Sequence, residues 1–491
     1  MIDFTKSAFR KYLSITIGLS IFAFIFSNNL LTSEIIFDKA HSPYYLNSTL
    51  TIGENDTLII LEGTTIIIDT AVDIIVYGNM FIKGTAASPV KILPKVDTIG
   101  WGQIKLLKKG SHCKFEHAEI VDGTVIAIAV NLVYRNIHFV NRQKLSSMHN
   151  ITRVAWGSAD LQNCSVQGSG KGEGFHLKNM DRGIIRQCEF RNIPDAIEWT
   201  RVKNSRITNN LFVDNWDDAI DLNNCSNILI DSNTIIHAFD RGIEIGSERF
   251  GSSTNITVHR NLITNCKEGI AFKEGSTGLV INNTLYKNKY GIVCKELIGG
   301  SGGSRIIVEN TIISQSKLSS IESDSLSEVT INYSLSDKML MKGVGNIFAN
   351  PQFTDSENRD FSLKQTSPCV NAGNAFEPID PDGTISDMGA YFHNPQSEFP
   401  ALSQKTEVQF FSTHPEFLGA ALRINYHLPY STKVIISLYN SKGEKVKTII
   451  DKAQIYGDYT IHFNEPLEKG IYLCQITIDN EPRTFKAAFV Y

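Results

Sequence analysis

Three carboxylates recur at one position of a repeated phrase. They are Glu198 in Asp195-Ala196-Ile197-Glu198, Asp221 in Asp218-Ala219-Ile220-Asp221 and Glu244 in Arg241-Gly242-Ile243-Glu244. The phrase continues as Glu268-Gly269-Ile270-Ala271 and Tyr290-Gly291-Ile292-Val293, and Asp217, Asp218 and Asp240 crowd the residues leading into it. If each isoleucine points into a core, strand alternation sends the next residue outward and the one after it inward. The inward column is then Trp199, Leu222, Ile245, Phe272 and Cys294, all apolar, which supports that register. One outward column is His176, Glu198, Asp221, Glu244, Ala271 and Val293. Its neighbour is Lys178, Thr200, Asn223, Gly246, Lys273 and Lys295. Carboxylates held about 4.8 Å apart repel by roughly 1 kcal/mol in open water and by more when shielded. Crowding of this kind raises one member's pKa, and a protonated carboxyl beside an ionised one is the equipment of general acid–base catalysis. Asp195, Asp217, Asp218 and Glu244 are the candidates for that work. His176, Glu198, Asp221, Arg241 and Lys273 are the candidates for holding a substrate, over a floor of Gly174, Ala196, Ala219, Gly242, Gly269 and Gly291 that leaves room for a ligand. A solvated acidic face is the competing reading of the same charge run.

The elements that must position these side chains announce themselves as a repeat. Asn210-Leu211-Phe212, Asn233-Thr234-Ile235, Asn261-Leu262-Ile263, Asn283-Thr284-Leu285 and Asn310-Thr311-Ile312 follow at intervals of 23, 28, 22 and 27 residues. Cys188-Glu189-Phe190 extends the series upstream. Repeats of this length mean a solenoid. Each unit is short β-like runs broken by Gly, Asn and Asp, so its coils are strands. The fold class expected is all-β: a right-handed parallel β-helix followed by a small C-terminal Ig-like β-sandwich. Coils stack along one axis and turn equivalent positions into columns. The asparagines should form a buried internal ladder, because buried amides need partners. Cys164 and Cys188 occupy the asparagine slot of consecutive coils, within disulfide reach, and read equally as a disulfide or as two stacked thiols.

Residues 31–392 read as the β-helix with an N-terminal cap and a closing segment. Within that segment Asp380, Asp382 and Asp387 surround a turn. Such an oxygen-rich group suits calcium, the one cofactor suggested here, and equally suits Asx turns that stabilise a cap. Residues 393–406 read as a linker. The last stretch, 407–491, alternates as antiparallel strands, with Ile424 to Pro429, Val434 to Asn440, Gly457 to Ile461 and Lys469 to Tyr472 joined by turn residues. Its Tyr426-His427-Leu428-Pro429, Leu438-Tyr439-Asn440 hairpin and late Gly470-Ile471-Tyr472 resemble the type A C-terminal sorting domain of the type IX secretion system in Bacteroidetes. That resemblance implies passage across the outer membrane and the secretion machinery as a partner. The chain departs from it in ending Phe489-Val490-Tyr491 without a lysine-rich terminus, and a small Ig-like binding domain is the other reading.

The repeat also resembles polygalacturonase-type glycoside hydrolases, which are β-helices of the pectate-lyase-like superfamily. Their Asn-Thr-Asp, Asp-Asp, Gly-His-Gly and Arg-Ile-Lys signature corresponds here to Ile193-Pro194-Asp195, Asp217-Asp218, Asp240-Arg241-Gly242 and Ala271-Phe272-Lys273. Three aspartates and the lysine have counterparts. Arg241 replaces the histidine and Ala271 the arginine, which departs from the standard mechanism of that family.

Composition narrows the setting. The 491 residues carry a formal charge of −4, and nothing in that balance points to an electrostatic nucleic-acid binder, which needs a strongly basic face, so no nucleic-acid partner is expected. Lys6, Arg10 and Lys11 precede an uncharged run from Tyr12 to Phe26, so residues 1–30 read as a signal peptide, or as an uncleaved anchor. No later segment is apolar enough to span a bilayer, so no stable membrane span is expected after processing. The protein is expected to be secreted or at the cell surface, exported through the periplasm. Polysaccharide is the expected partner: either an enzyme, hydrolase or lyase, on an acidic or pectin-like chain, or a non-catalytic adhesin or glycan-binding scaffold.

Overall fold

The computed structural model describes residues 32–393, apart from 97–99, 143–149, 248, 250, 298 and 376–378. In the tail it describes 416–418, 421–428, 432–440, 444–454, 457–463, 470–478 and 481–489. The expected signal segment lies outside the described residues, as does the linker apart from His393. Contacts divide the chain into two units: Met1–Gly278 with Leu285–Ile306 and Ser316–Val329, and Leu279–Thr284 with Ile307–Gln315 and Thr330–Tyr491.

The first unit is an all-β, right-handed parallel β-helix; the only helices described anywhere are two three-residue 3-10 turns. The working sheet runs through Asn150–Ala155, Glu173–Met180, the start of Ile197–Thr208, Ile220–Asn223, Arg241–Ile245, Glu268–Lys273 and Tyr290–Lys295. Every neighbouring pair is parallel and in one register: Arg153, His176, Glu198, Asp221, Glu244, Ala271 and Val293 stand opposite one another. The expected outward column is therefore continuous. The alternate positions Leu177, Trp199, Leu222, Ile245, Phe272 and Cys294 are fully buried. Burial of whole Leu, Ile and Phe side chains, at about 1.5–3 kcal/mol each, forbids a slip by one residue, which would turn each of them to solvent. Phe190 and Phe212, counterparts on neighbouring coils, stack with ring centroids 5.1 Å apart and planes nearly parallel, and Phe175 meets Phe190 edge-on across the core.

Corners between strands are made by residues in the left-handed region. Asn163, Gln187, Asn209, Ser232 and Arg260 all have φ near +55° at the same corner; asparagine tolerates this conformation better than most side chains. The next position holds the ladder. Asn210 and Asn233 are buried, and Asn261 wholly so. The Asn233 carbonyl oxygen accepts the Asn210 backbone N–H at 3.0 Å and its side-chain amide at 2.9 Å, and Asn261 repeats this for Asn233. Cys188 starts the series by donating its N–H to the Asn210 side chain. Cys164 and Cys188 are buried free thiols, with no disulfide.

In the second unit the Asn283 N–H donates to the Thr311 hydroxyl, and Thr311 in turn donates its N–H to Ser334. Thr311, not Asn310, is thus the ladder residue. Asn310 sits one place earlier, at φ 48°, and reaches Asn282. The closing segment caps this stack: the Asn282 amide donates to the Asp387 carbonyl, and Gly389 N–H to the Asn310 carbonyl. The tail has a three-stranded sheet (Glu416–Leu418, Ala421–Leu428, Gly457–Phe463) and a four-stranded sheet (Lys445–Gln454, Thr432–Asn440, Gly470–Ile478, Glu481–Phe489), both antiparallel. Ile424 and Phe463 from one sheet share a core with Val434, Ile436, Leu438 and Ile476 from the other.

Asn233→Ala removes an acceptor for two donors and a donor to the Ile207 carbonyl. At about 1–3 kcal/mol for each buried group left unsatisfied, it should destabilise the β-helix by roughly 2–4 kcal/mol. Chemical denaturation followed by circular dichroism measures this.

Candidate functional site

The sheet carries its acids in two groups, each built by a different part of the coil. Among the described residues, two sets of three or more acidic, histidine or cysteine side chains bring one ligand atom each within 4.8 Å of the others. They are Asp195, Asp217 and Asp218, and Glu173, His176 and Glu198.

The first set comes from the turns that lead into successive strands. The Asp218 N–H donates to Asp195 Oδ1 at 3.1 Å, so backbone geometry orients the upper carboxyl. Burial, then the Asp217 charge, push the Asp195 carboxyl up to about 7. Asp217 is exposed, and its pKa is also raised, by partial burial and then by Asp240. Asp218 is 4% exposed; burial and the Glu244 carboxyl hold its pKa well above the ordinary range, which favours its protonated form. Glu244 is the ionised partner. Burial acts against it, but the hydrogen bond from Asp218 and the charges of Lys273 and Arg241 bring its pKa below normal.

Arg241 organises this end. Its guanidinium lies 2.7 Å from Glu244, 2.9 Å from Asp240, 3.0 Å from Glu268 and 3.5 Å from Asp218, and its backbone N–H donates to Asp218 at 2.8 Å. Lys273 is 3% exposed with Nζ 2.5 Å from Glu244, Lys267 pairs with Asp240 at 2.7 Å, and Lys295 with Glu268 at 3.2 Å. Arg241 and Lys273, read from the sequence as ligands for a substrate, therefore have their donors on protein carboxylates. Ion pairing explains how so many acids coexist in one sheet.

In the second set His176 Nδ1 lies 3.1 Å from Glu198 and 3.8 Å from Glu173, and Nε2 is 3.4 Å from the Thr200 hydroxyl. Asn150 donates to Glu173. Burial, then Arg153 and Lys178, push the imidazole down to about 4, and burial, then Glu173, push Glu198 up to about 8. Both partners are neutral at pH 7. Between the sets stands Asp221, raised well above the ordinary range by burial and then by Glu244. Its Oδ2 accepts from Asn223 at 2.6 Å, and its buried Oδ1 finds no partner among the described residues.

Two expectations change with the geometry. The glycine column is no ligand floor: a Cβ on Gly174 would meet the Ala196 carbonyl oxygen at 2.1 Å, and one on Gly269 the Gly291 carbonyl oxygen at 2.6 Å. Those residues are small because adjacent coils approach each other there. Asp380, Asp382 and Asp387 form no set of converging ligand atoms among the described residues. They accept protein donors instead: Asp380 from the Asp387 N–H, Asp382 from Thr384, and Asp387 from the Asn371 and His393 N–H groups. Sequence reasoning missed Glu173 and Glu268, the first because alternation was begun at Gly174, the second because the repeated phrase drew attention to its fourth residue and not its first.

Residues 150–296 match the family described as right handed beta helix region. No curated protein matches the chain. Several solved structures do. A periplasmic alginate epimerase is 12% identical, over 60% of this chain and 78% of that one, with TM-score 0.35. A PL6 family alginate lyase is 13% identical over 72% of this chain, which spans 55% of that one, with TM-score 0.39. A PL6 family polysaccharide lyase from Pseudopedobacter saltans is 12% identical over 72% of this chain and 98% of that one, with TM-score 0.36. Likenesses this low assign no activity. The class that can be stated is a right-handed parallel β-helix with an acidic, ion-paired sheet face.

Arg241→Met would leave buried Glu268 and Glu244 short of their counter-ion, a loss of about 3–5 kcal/mol for a broken buried pair. Lowering the pH protonates the stranded carboxylates, so the deficit relative to wild type should shrink from pH 8 to pH 5. Melting temperatures of both proteins across that range measure it.

Proposed function

We propose that the chain is an exported enzyme that hydrolyses polysaccharide at Asp195 and Asp217. One observation carries this: a carboxyl held protonated to about pH 7 lies with an exposed carboxylate in a group whose ligand atoms fall within 4.8 Å of one another. Pairs of carboxyl groups whose environments differ take acid and base roles. Asp195 gives its proton to the glycosidic oxygen as the C1–O bond breaks, and the Asp217 carboxylate bonds to C1. A water then gives a proton to Asp195 as its oxygen bonds to C1 and the bond from Asp217 to C1 breaks, so one water is consumed per bond and both carboxyls return to their starting forms. Asp218 and Glu244 position the pair, Asp218 through its N–H to Asp195 and Glu244 through the proton it shares with Asp218. Elimination on a uronate needs a cation to neutralise the substrate carboxylate, and the cations beside this group are occupied by Asp240, Glu244 and Glu268. That observation favours hydrolase over lyase.

An inverting carboxyl pair stands about 6.5–9.5 Å apart to admit water between its members, and a retaining pair about 5–5.5 Å. The close approach of Asp195 and Asp217 supports the shorter arrangement.

Activity should fall as pH rises through about 7, where Asp195 loses its proton, and fall again in acid as Asp217 gains one. Asp195→Asn and Asp217→Asn should each cut turnover by about 10²–10⁴. The folded pKa of Asp195 lies above its unfolded value, so its ionisation costs stability progressively as pH rises from about 4 to 7. Asp195→Asn should therefore also raise Tm at pH 8, by about 2–4 °C per kcal/mol relieved, and leave it unchanged near pH 4. Reducing-end release and absorbance of unsaturated products across a polysaccharide panel test the reaction. Unsaturated products would indicate a lyase; glycan binding without either signal would indicate a non-catalytic surface binder.

The tail, a domain of two antiparallel sheets with its own core, is proposed to act as the type IX sorting module its sequence resembles, delivering the enzyme to the cell surface. No helix among the described residues is long and apolar enough to cross a membrane. Truncation from residue 407 onward should leave the β-helix folded but retained in the periplasm, as fractionation and immunoblotting would report; normal surface delivery would count against the module.

A further inference from the structure

Two large aromatic side chains stand exposed at the edge of the acidic group. Trp216 immediately precedes Asp217-Asp218, and Phe239 immediately precedes Asp240-Arg241. Asn215 pairs with Ala238 across neighbouring coils, so the residues that follow them occupy equivalent places one coil apart. Trp216 is 57% and Phe239 66% exposed, the cost of leaving apolar rings in water. Neither is a loose loop tip. The Trp216 N–H donates to the Ile193 carbonyl and the Phe239 N–H to the Asn215 carbonyl. The indole Nε1 donates to Asn192 Oδ1 at 2.6 Å, which fixes the direction of the ring. The oriented indole and the exposed Phe239 ring offer apolar surface to a flat partner with polar edges.

Charge decides the partner's chemistry. Arg241, Lys267, Lys273 and Lys295 all place their charged ends on Asp240, Glu244 or Glu268. An anionic chain resting on the two rings would meet Asp217 and find those cations occupied. Arg153 and Lys178 lie toward the other end of the sheet, where they act on His176.

Resting on glycoside hydrolysis as the reaction, we infer that Trp216 and Phe239 form a stacking platform that seats an uncharged pyranose chain beside Asp195 and Asp217. The C–H faces of the sugar rings lie on the aromatic faces, and their hydroxyls reach the carboxyls as donors. Selection is for neutral glycan, against polyuronate.

The experiment uses the full chain. Affinity electrophoresis and reducing-end release are run on neutral chains (glucan, galactan, mannan, xylan) and on polygalacturonate and alginate, each at low and high salt. The expected result is binding to a neutral chain that survives high salt, weakened about tenfold by Trp216→Ala or Phe239→Ala and largely retained in Trp216→Tyr. A preference for polyuronate, abolished by salt or by Lys178→Ala, overturns the inference and leaves hydrolysis standing. Neutral-chain binding that both alanine variants leave unchanged also overturns it, as does failure to bind any chain of the panel. Binding that depends on Trp216 without release of reducing ends supports the platform while refuting hydrolysis.

Discussion

Parallel stacking of coils holds each side chain about 4.8 Å from its counterpart above and below, with little freedom to move away. Like meets like by construction. Apolar columns gain from this, as the stacked Phe190 and Phe212 do, and amide columns gain because an asparagine is both donor and acceptor. A carboxylate column does not gain, and the structure relieves it in two ways. At one end basic groups are threaded between the acids, with Arg241 touching four of them. Elsewhere burial and the neighbouring acids shift the carboxyls of Asp195, Glu198, Asp218 and Asp221 toward their protonated forms.

Acid chemistry follows from that division. A face neutralised wholly by lysines and arginines would have no proton to give, and a face left wholly ionised would not remain close-packed. Here the boundary between cation-neutralised and proton-neutralised acids passes through Asp218 and Glu244, and Asp195 with Asp217 sits just beyond it. Arg241 acts on that boundary in two opposed ways: its charge favours ionised Glu244, whose carboxylate raises the pKa of Asp218, while at 3.5 Å from Asp218 the same charge favours that carboxyl's ionised form.

Much of this was legible in the chain, and the limits have physical causes. Period-two alternation anchored on Ile197, Ile220, Ile243, Ile270 and Ile292 yields the outward column, because an error of one residue would have exposed Trp199 and Phe272. The ladder was legible as far as Asn283. Asn310-Thr311-Ile312 repeats the earlier triplets so closely that the one-residue offset, with Thr311 taking the ladder place, is invisible without the hydrogen bonds. Occupancy of Arg241 and Lys273 was hidden because it depends on how far side chains reach across coils. Trp216 and Phe239 escaped because alternation carries no information inside a turn. The glycines were legible as a column but misread as solvent space, since sequence spacing cannot tell a gap from a contact between two backbones.

The ladder has a direction: Cys188 donates to Asn210, Asn210 to Asn233 and Asn233 to Asn261. Each position asks its successor only for an oxygen, and in the second unit Thr311 and Ser334 meet that demand as Asn283's neighbours. A coil can thus be gained by tandem duplication whatever its length, provided it brings one side-chain acceptor at the corner. A designer lengthening the protein would need to conserve that single atom type and could leave the outer turns free to vary.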